Sequence, residues 1–158
     1  MIKPIVKLIT DLNKSSVPVT KEDNYKEIIQ DLKDTLTAHP NGIGLSAPQI
    51  GVQKQISYAK IPKSVNAKLK KIEYFELVMI NPKIIETEGK ILLKREGCLS
   101  FPGIHIDTDR YIYITISYLD ENFDEKMASF KDLESFVVQH ELDHLKGLTI
   151  MNRKHKAR

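Results

Sequence analysis

Tryptophan is absent from this chain, cysteine occurs once, and aromatic residues make up only 7% of it. One cysteine closes no internal disulfide, which excludes the small disulfide-stapled scaffolds and makes a reducing compartment the expectation. Long hydrophobic runs are missing: no stretch approaches the roughly 18 apolar residues that a membrane-spanning helix needs. The opening segment, MIKPIVKLITDLNKSS, holds neither an extended apolar core nor a small-residue cleavage site, so no secretory signal is expected. Neither sign of charge dominates. The formal net charge is +3 and the pI near 8.8, too mild a basicity to argue for nucleic-acid binding. Repeats, low-complexity tracts and Pro/Gly/Ser linkers are lacking too, so residues 1–158 are expected to form one domain.

What is there is a globular composition, 41% hydrophobic and 28% charged. Residues 22–38 carry Ile28, Leu32 and Leu36 at helical spacing, with Thr20 as the expected N-cap and Pro40 and Gly42 as the stop. A glycine-punctuated loop, NGIGLSAPQIG, follows over residues 41–51. Strands are expected at 55–61, 75–80, 83–88 and 91–95, with Glu88-Gly89 turning between the last two. A further strand at 111–119 reverses through Asp120-Glu121-Asn122 into 125–130. Residues 60–72 read as a lysine-rich excursion between strands, either a solvated loop or a contact for a polyanion.

A second helix is expected to start at Asp132 and run to about Lys146, with Gly147 ending it. Leu133, Phe136, Val137, His140 and His144 line one side of it, and Val138, Leu142 and Leu145 another. A helix apolar around so much of its circumference is normally buried. The pattern gives an α+β class: mixed or antiparallel sheets packed around one central buried helix.

That helix carries His140-Glu141-Leu142-Asp143-His144, an H-E-x-x-H pattern. Residues i and i+4 share a helix face, so both imidazoles reach one ion, and the glutamate beside the first can act on a water there as general base. Asp143 falls on a different face, suited to supporting or capping duty. Catalytic sites of this kind commonly use three protein ligands. Only 14 residues follow His144, none of them Asp or Glu, and Ile150 stands where an extended motif would put a third histidine. The third ligand is therefore expected upstream. Cys98, in Glu96-Gly97-Cys98-Leu99-Ser100, is the candidate, because a thiolate is a strong, soft ligand for iron or zinc. Alone it reads as a buried small hydrophobe. His39 and His105 read as loop residues.

Taken together, three motifs make the chain similar to the peptide deformylase family: GIGLSAPQ (42–49), EGCLS (96–100) and QHELDHLKG (139–147), in the family's order. The resemblance implies removal of the N-formyl group from the formylmethionine of nascent polypeptides, with release of formate. Cys98, His140 and His144 would hold one divalent ion, ferrous iron in most bacterial members, with zinc, nickel or cobalt able to substitute. A water on that ion would attack the formyl carbonyl with Glu141 as general base and then acid, while the Gln49 amide and the Leu99 N–H stabilise the oxyanion. Without the resemblance, Gln49 reads equally as an ordinary loop glutamine.

Ile43, Leu133, Phe136 and Val137 would line a slot for the methionine side chain, although any helix core contains such residues. Backbone around Ile43, Gly44 and Gly97 would pair with an extended peptide. Glu96 and Arg110 would form a buried pair orienting the cysteine loop. One departure stands out: Ser46 occupies a position where the family usually has alanine. The chain after Gly147 is short, and the basic end, residues 151–158, is expected to be a flexible tail, with weak contact to ribosomal RNA as the alternative. The expected setting is a bacterial cytoplasm, the gene belonging to the bacterium or a phage, with no membrane or DNA partner. A zinc endopeptidase shares H-E-x-x-H but wants a downstream ligand. A non-catalytic metal or ribosome-associated module would not need Glu141 and Gln49.

Overall fold

The computed structural model describes residues 1–66, 68 and 71–156. After a single helical turn, α1 (Ile9–Leu12), come α2 (Tyr25–Thr37), β1 (Gly44–Ser46) and a 3-10 turn over Ala47–Ile50. The strands β2 (Ile56–Asn66), β3 (Lys71–Glu96), β4 (Ile106–Leu119) and β5 (Glu125–Lys131) follow, then α3 (Leu133–Leu145) and a last 3-10 turn at Ile150–Asn152. The strands form one antiparallel sheet in sequence order, β1 to β5. The α+β class and the central helix are as expected. Among the described residues no helix is long and apolar enough to cross a membrane.

Alternation along the strands places the two helices. Successive strand residues face opposite sides of the sheet. Ile56 and Tyr58 of β2 and Val78 and Ile80 of β3 join a core with Ile28, Ile29, Leu32 and Leu36 of α2. Their neighbours face the other way: Met79 packs with Ile114, Ile116, Phe130 and the α3 residues Val138 and Leu142, and Ala59 and Ile61 pack with Val137. The short edge strand β1 obeys the same rule, sending Leu45 toward α2 while Gly44 and Ser46 meet α3.

Gln139 anchors α3 to the sheet, its Oε1 accepting from the Tyr111 N–H at 3.0 Å and its Nε2 donating to the Tyr111 carbonyl at 2.8 Å. Gly147 ends the region at φ +74°, and a Cβ there would stand 2.9 Å from the Asn13 backbone, so both conformation and space require glycine.

Five local expectations are corrected. Thr20 does not cap α2: its N–H bonds to the Asp23 carboxylate at 2.8 Å in a preceding turn, and Asn24 is the N-cap. Glu88-Gly89 does not reverse the chain. Glu88 pairs with Tyr113 and Lys90 with Tyr111 on the same neighbour, so Gly89 at φ +68° absorbs a local distortion within one long β3 that unites the three segments expected at 75–80, 83–88 and 91–95. The lysine-rich 60–72 segment is not a loop over most of its length: β2 continues to Asn66 and β3 begins at Lys71, while residues 67, 69 and 70 lie outside the described residues. Finally, Asp132 stands at the N-cap of α3 but makes no side-chain capping bond. Residues 151–158, expected as a flexible tail, are tied to the fold in their described part: after the 3-10 turn, His155 donates its N–H to the Asp107 carbonyl at 2.7 Å and Lys154 bridges Thr108 of β4. Residues 157 and 158 lie outside the described residues.

Candidate metal centre and cleft

Helical spacing sets the rings of His140 and His144 on one face of α3, edge to face at 70° with their Nε2 atoms 3.3 Å apart. Cys98, in the turn after β3, brings its Sγ to 3.5 Å from His144 Nε2. The three ligand atoms all lie within 4.8 Å of one another. Glu96 takes the far nitrogen of His140: Nδ1 and Oε2 are 2.8 Å apart, which assigns the ring proton to Nδ1 and leaves Nε2 a lone pair toward the cluster. A sulfur and two imidazole nitrogens facing one another have too few protons to bond each other fully, while a divalent first-row ion accepts a lone pair from each. The donor set therefore fits one metal ion. His39 and His105 are not in this cluster; they stand at the cleft wall with the residues described below.

The polar support is deep. Arg110, 2% exposed, forks onto Glu96 with Nε to Oε1 at 2.8 Å and Nη2 to Oε2 at 2.6 Å, and its Nη1 donates to Asp143 Oδ2 at 2.6 Å. Asp143 also takes two bonds from Arg153, and Thr108 donates to Glu96 Oε1 at 2.9 Å. Two carboxylates and two guanidiniums thus neutralise each other, which a buried ionic group requires. Burial works to raise the Glu96 carboxyl, but the bonds from Arg110 and His140 outweigh it and hold the group at about 2. In the metal-free site burial likewise opposes charge on His140, yet Cys98 and Glu96 raise it well above the ordinary histidine range, and an ion at Nε2 would take the place of the second ring proton. Burial and then the neighbouring His140 charge push His144 well below it.

Glu141 is buried, and that burial raises its carboxyl above the ordinary glutamate value, partly offset by His140 and by a bond from Ser46. Gly44 lies against it: a Cβ there would come within 2.8 Å of Glu141 Oε1. The Gln49 amide is held at both ends. Its Oε1 accepts from the Ser46 N–H at 2.9 Å, so Nε2 points to Ser100 Oγ at 3.1 Å and Cys98 Sγ at 3.6 Å. Leu99 follows Cys98 in the turn, its side chain packed against the α2 core.

A cleft of about 980 Å³ opens over these groups. Ile43, Gly44, Gly97, Cys98, Leu99, Phe136 and Val137 line it with His140 and Glu141, and the half-exposed Leu133 stands at its wall. Lys7, Lys94 and Arg95 border it. Ser100, Thr108 and Arg153 were not read from the sequence as site residues. Only the position of Ser100 inside EGCLS offered a signal; the other two reach the site through long-range pairing.

A sequence profile of the family described as polypeptide deformylase matches residues 2–158. The chain belongs to the peptide deformylase family. A peptide deformylase of Aquifex aeolicus is 37% identical over 158 aligned residues, covering 97% of this chain and 88% of that protein. One from Chlorobaculum tepidum is 39% identical over 132 residues, covering 83% and 67%. Among solved structures, the peptide deformylase of Thermotoga maritima superposes with a TM-score of 0.83 at 30% identity over 99% of both chains. That of Ehrlichia chaffeensis gives 0.87 at 31%, covering 99% of this chain and 89% of that one. The chain is accordingly a hydrolase of a family that removes N-formyl groups from nascent peptides, with a Cys/His/His site suited to a single metal ion.

Proposed function

We propose that this protein deformylates the N-terminal formylmethionine of nascent chains by the chemistry of one metal-bearing cleft. The observation that carries the reading is the convergence of Cys98, His140 and His144 beside the buried Glu141 carboxylate and the Gln49 amide. Cys98, His140 and His144 would hold one divalent ion, ferrous iron in this reading with zinc, nickel or cobalt as substitutes, and that ion would supply Lewis acidity toward water and the formyl oxygen. Glu141 takes a proton as the formyl carbonyl is attacked and delivers it to the departing amine, a role favoured by burial, which raises its carboxyl above the ordinary glutamate value. The Gln49 Nε2–H and the Leu99 N–H donate to the oxygen on which negative charge develops.

Ile43, Leu133, Phe136 and Val137 form the apolar wall for the methionine side chain. The peptide runs as an added strand along the outer edge of β1, near Gly44, with Gly97 across the cleft. A Met-Ala-Ser-bound structure of the Acinetobacter baumannii peptide deformylase, 27% identical with a TM-score of 0.82, supports this choice of ligand. The substrate fits a bacterial cytoplasm, and among the described residues of the basic end, where Arg153 and His155 are engaged by Asp143 and Asp109, Lys154 and Lys156 remain for a weak, salt-sensitive ribosome contact.

The test is formate release from formyl-Met-Ala-Ser by anaerobically purified protein loaded with ferrous iron, beside an acetylated control peptide. Release is expected from the parent only, with Glu141→Ala reduced at least ~100-fold and Cys98→Ala losing metal and activity together. A folded, metal-loaded parent that releases no formate rejects the reading.

A further inference from the structure

Ser46 is a buried serine on the edge strand β1, and the fold sets its hydroxyl on the Glu141 carboxylate. Ser46 Oγ lies 2.7 Å from Glu141 Oε2, 3.0 Å from the Glu141 carbonyl oxygen and 2.7 Å from Ser57 Oγ. All three residues are buried. Ser46 and Ser57 are cross-strand partners in the β1–β2 ladder, so both point to the α3 side of the sheet. A hydroxyl has one proton to give, and a carboxylate is the stronger acceptor. Ser46 therefore donates to Oε2 and accepts from Ser57.

The opposite side of Glu141 is closed by Gly44, where a Cβ would meet Oε1 at 2.8 Å and Cγ at 3.0 Å. Oε1 is left as the oxygen nearer the metal cluster, 3.9 Å from His140 Nε2. The backbone of Ser46 adds a second tie, since its N–H fixes the Gln49 amide.

We infer that Ser46 is a positioning residue: the Ser57–Ser46 hydroxyl pair clamps Oε2 of Glu141 so that Oε1 is the oxygen presented to the cleft. The catalytic consequence rests on the deformylase reading above; the clamp itself does not. Ser46 and Gly44, two residues apart on one edge strand, thereby set the rotamer of the proton-moving side chain from both sides.

The test uses Ser46→Ala, Ser57→Ala and the double variant, each loaded with ferrous iron and assayed on formyl-Met-Ala-Ser. Alanine is smaller than serine and adds no atom to the packed site, so each single variant is expected to fold. Ser46→Ala is expected to lower kcat about tenfold with KM changed less than about twofold, and Ser57→Ala to lower kcat about threefold. Removing both hydroxyls leaves neither orphaned, so the unfolding midpoint of the double variant recovers toward the parent while its kcat stays low. A crystal structure of Ser46→Ala is expected to show the Glu141 carboxylate turned from its parental position. If kcat recovers together with the midpoint in the double variant, Ser46 is a structural partner of Ser57 only. Parental kcat with an unmoved Glu141 in Ser46→Ala also overturns the inference. A parent that releases no formate rejects the deformylase reading instead, and the crystallographic result still decides the clamp.

Discussion

Glu96 Oε2 lies 2.8 Å from His140 Nδ1, on the ring edge opposite the nitrogen that faces His144. The contact fixes both the tautomer and the plane of one ligand before any ion arrives. Outer partners of this kind are worth about 10–100-fold in metal affinity. Glu96→Gln keeps an acceptor oxygen but loses the charge, and it is expected to weaken metal binding by an amount in that range. Competition against a chelator of known affinity measures it.

The same carboxylate predicts an acid limb in stability. Its folded value is about 2 against an ordinary 4.5. A depressed carboxyl stabilises the fold above its unfolded value and loses that contribution as pH falls through the folded one. The stabilisation is then complete above about pH 4.5, declines below it and is gone near pH 2, amounting to about 3 kcal/mol. Urea midpoints of the metal-free protein between pH 3 and 7 should fall for the parent and change less for Glu96→Gln. Parallel curves for the two would contradict the assignment.

Arg110 answers two carboxylates at once, at 2.6 Å each. Arg110→Met preserves much of the volume but leaves Glu96 and one side of Asp143 without their buried cation. Breaking a buried pair in this way costs about 3–5 kcal/mol. Thermal unfolding is expected to show that loss, and a variant within 1 kcal/mol of the parent, on the scale of ordinary surface substitutions, would show that Arg153 suffices alone.

Gln49 has its carbonyl oxygen engaged by Ser46, which leaves its amide hydrogens directed at Ser100 and the cysteine sulfur. If that amide stabilises the developing oxyanion, Gln49→Ala lowers kcat by about 10²–10³ with KM little changed. A rise in KM alone would make it a substrate-binding group.

The readable parts of the site were those with a local period or a dense motif. His140 and His144 share a face because 3.6 residues make a turn, and nothing distant alters that. The buried character of α3 followed from its apolar circumference, and Cys98 was legible as a ligand candidate from its place in the EGCLS motif. Gly89 and the lysine-rich segment misled because local turn and charge signals carry no information about which neighbour a strand pairs with. Both were absorbed into long ladders with β4 and β2. Thr20 misled for a related reason: it closes a separate turn with Asp23, and the helix starts only at Tyr25 behind Asn24.

Legible in the chain alone were the family motifs, the α+β class, the helical pairing of His140 with His144 and the identity of Cys98 as a candidate ligand. These depend on residue type and short spacing. Only the tertiary structure decided that Cys98 reaches those histidines from 42 residues away in the chain before His140, that Arg153 closes a charge cluster with Asp143 and Arg110, and that Ser46 and Ser57 meet on the Glu141 carboxylate. Each of those contacts is set by strand register and helix docking, and register is a property of two chain segments together: a slip of one residue would turn Ser57 to the opposite face and leave Glu141 without its clamp.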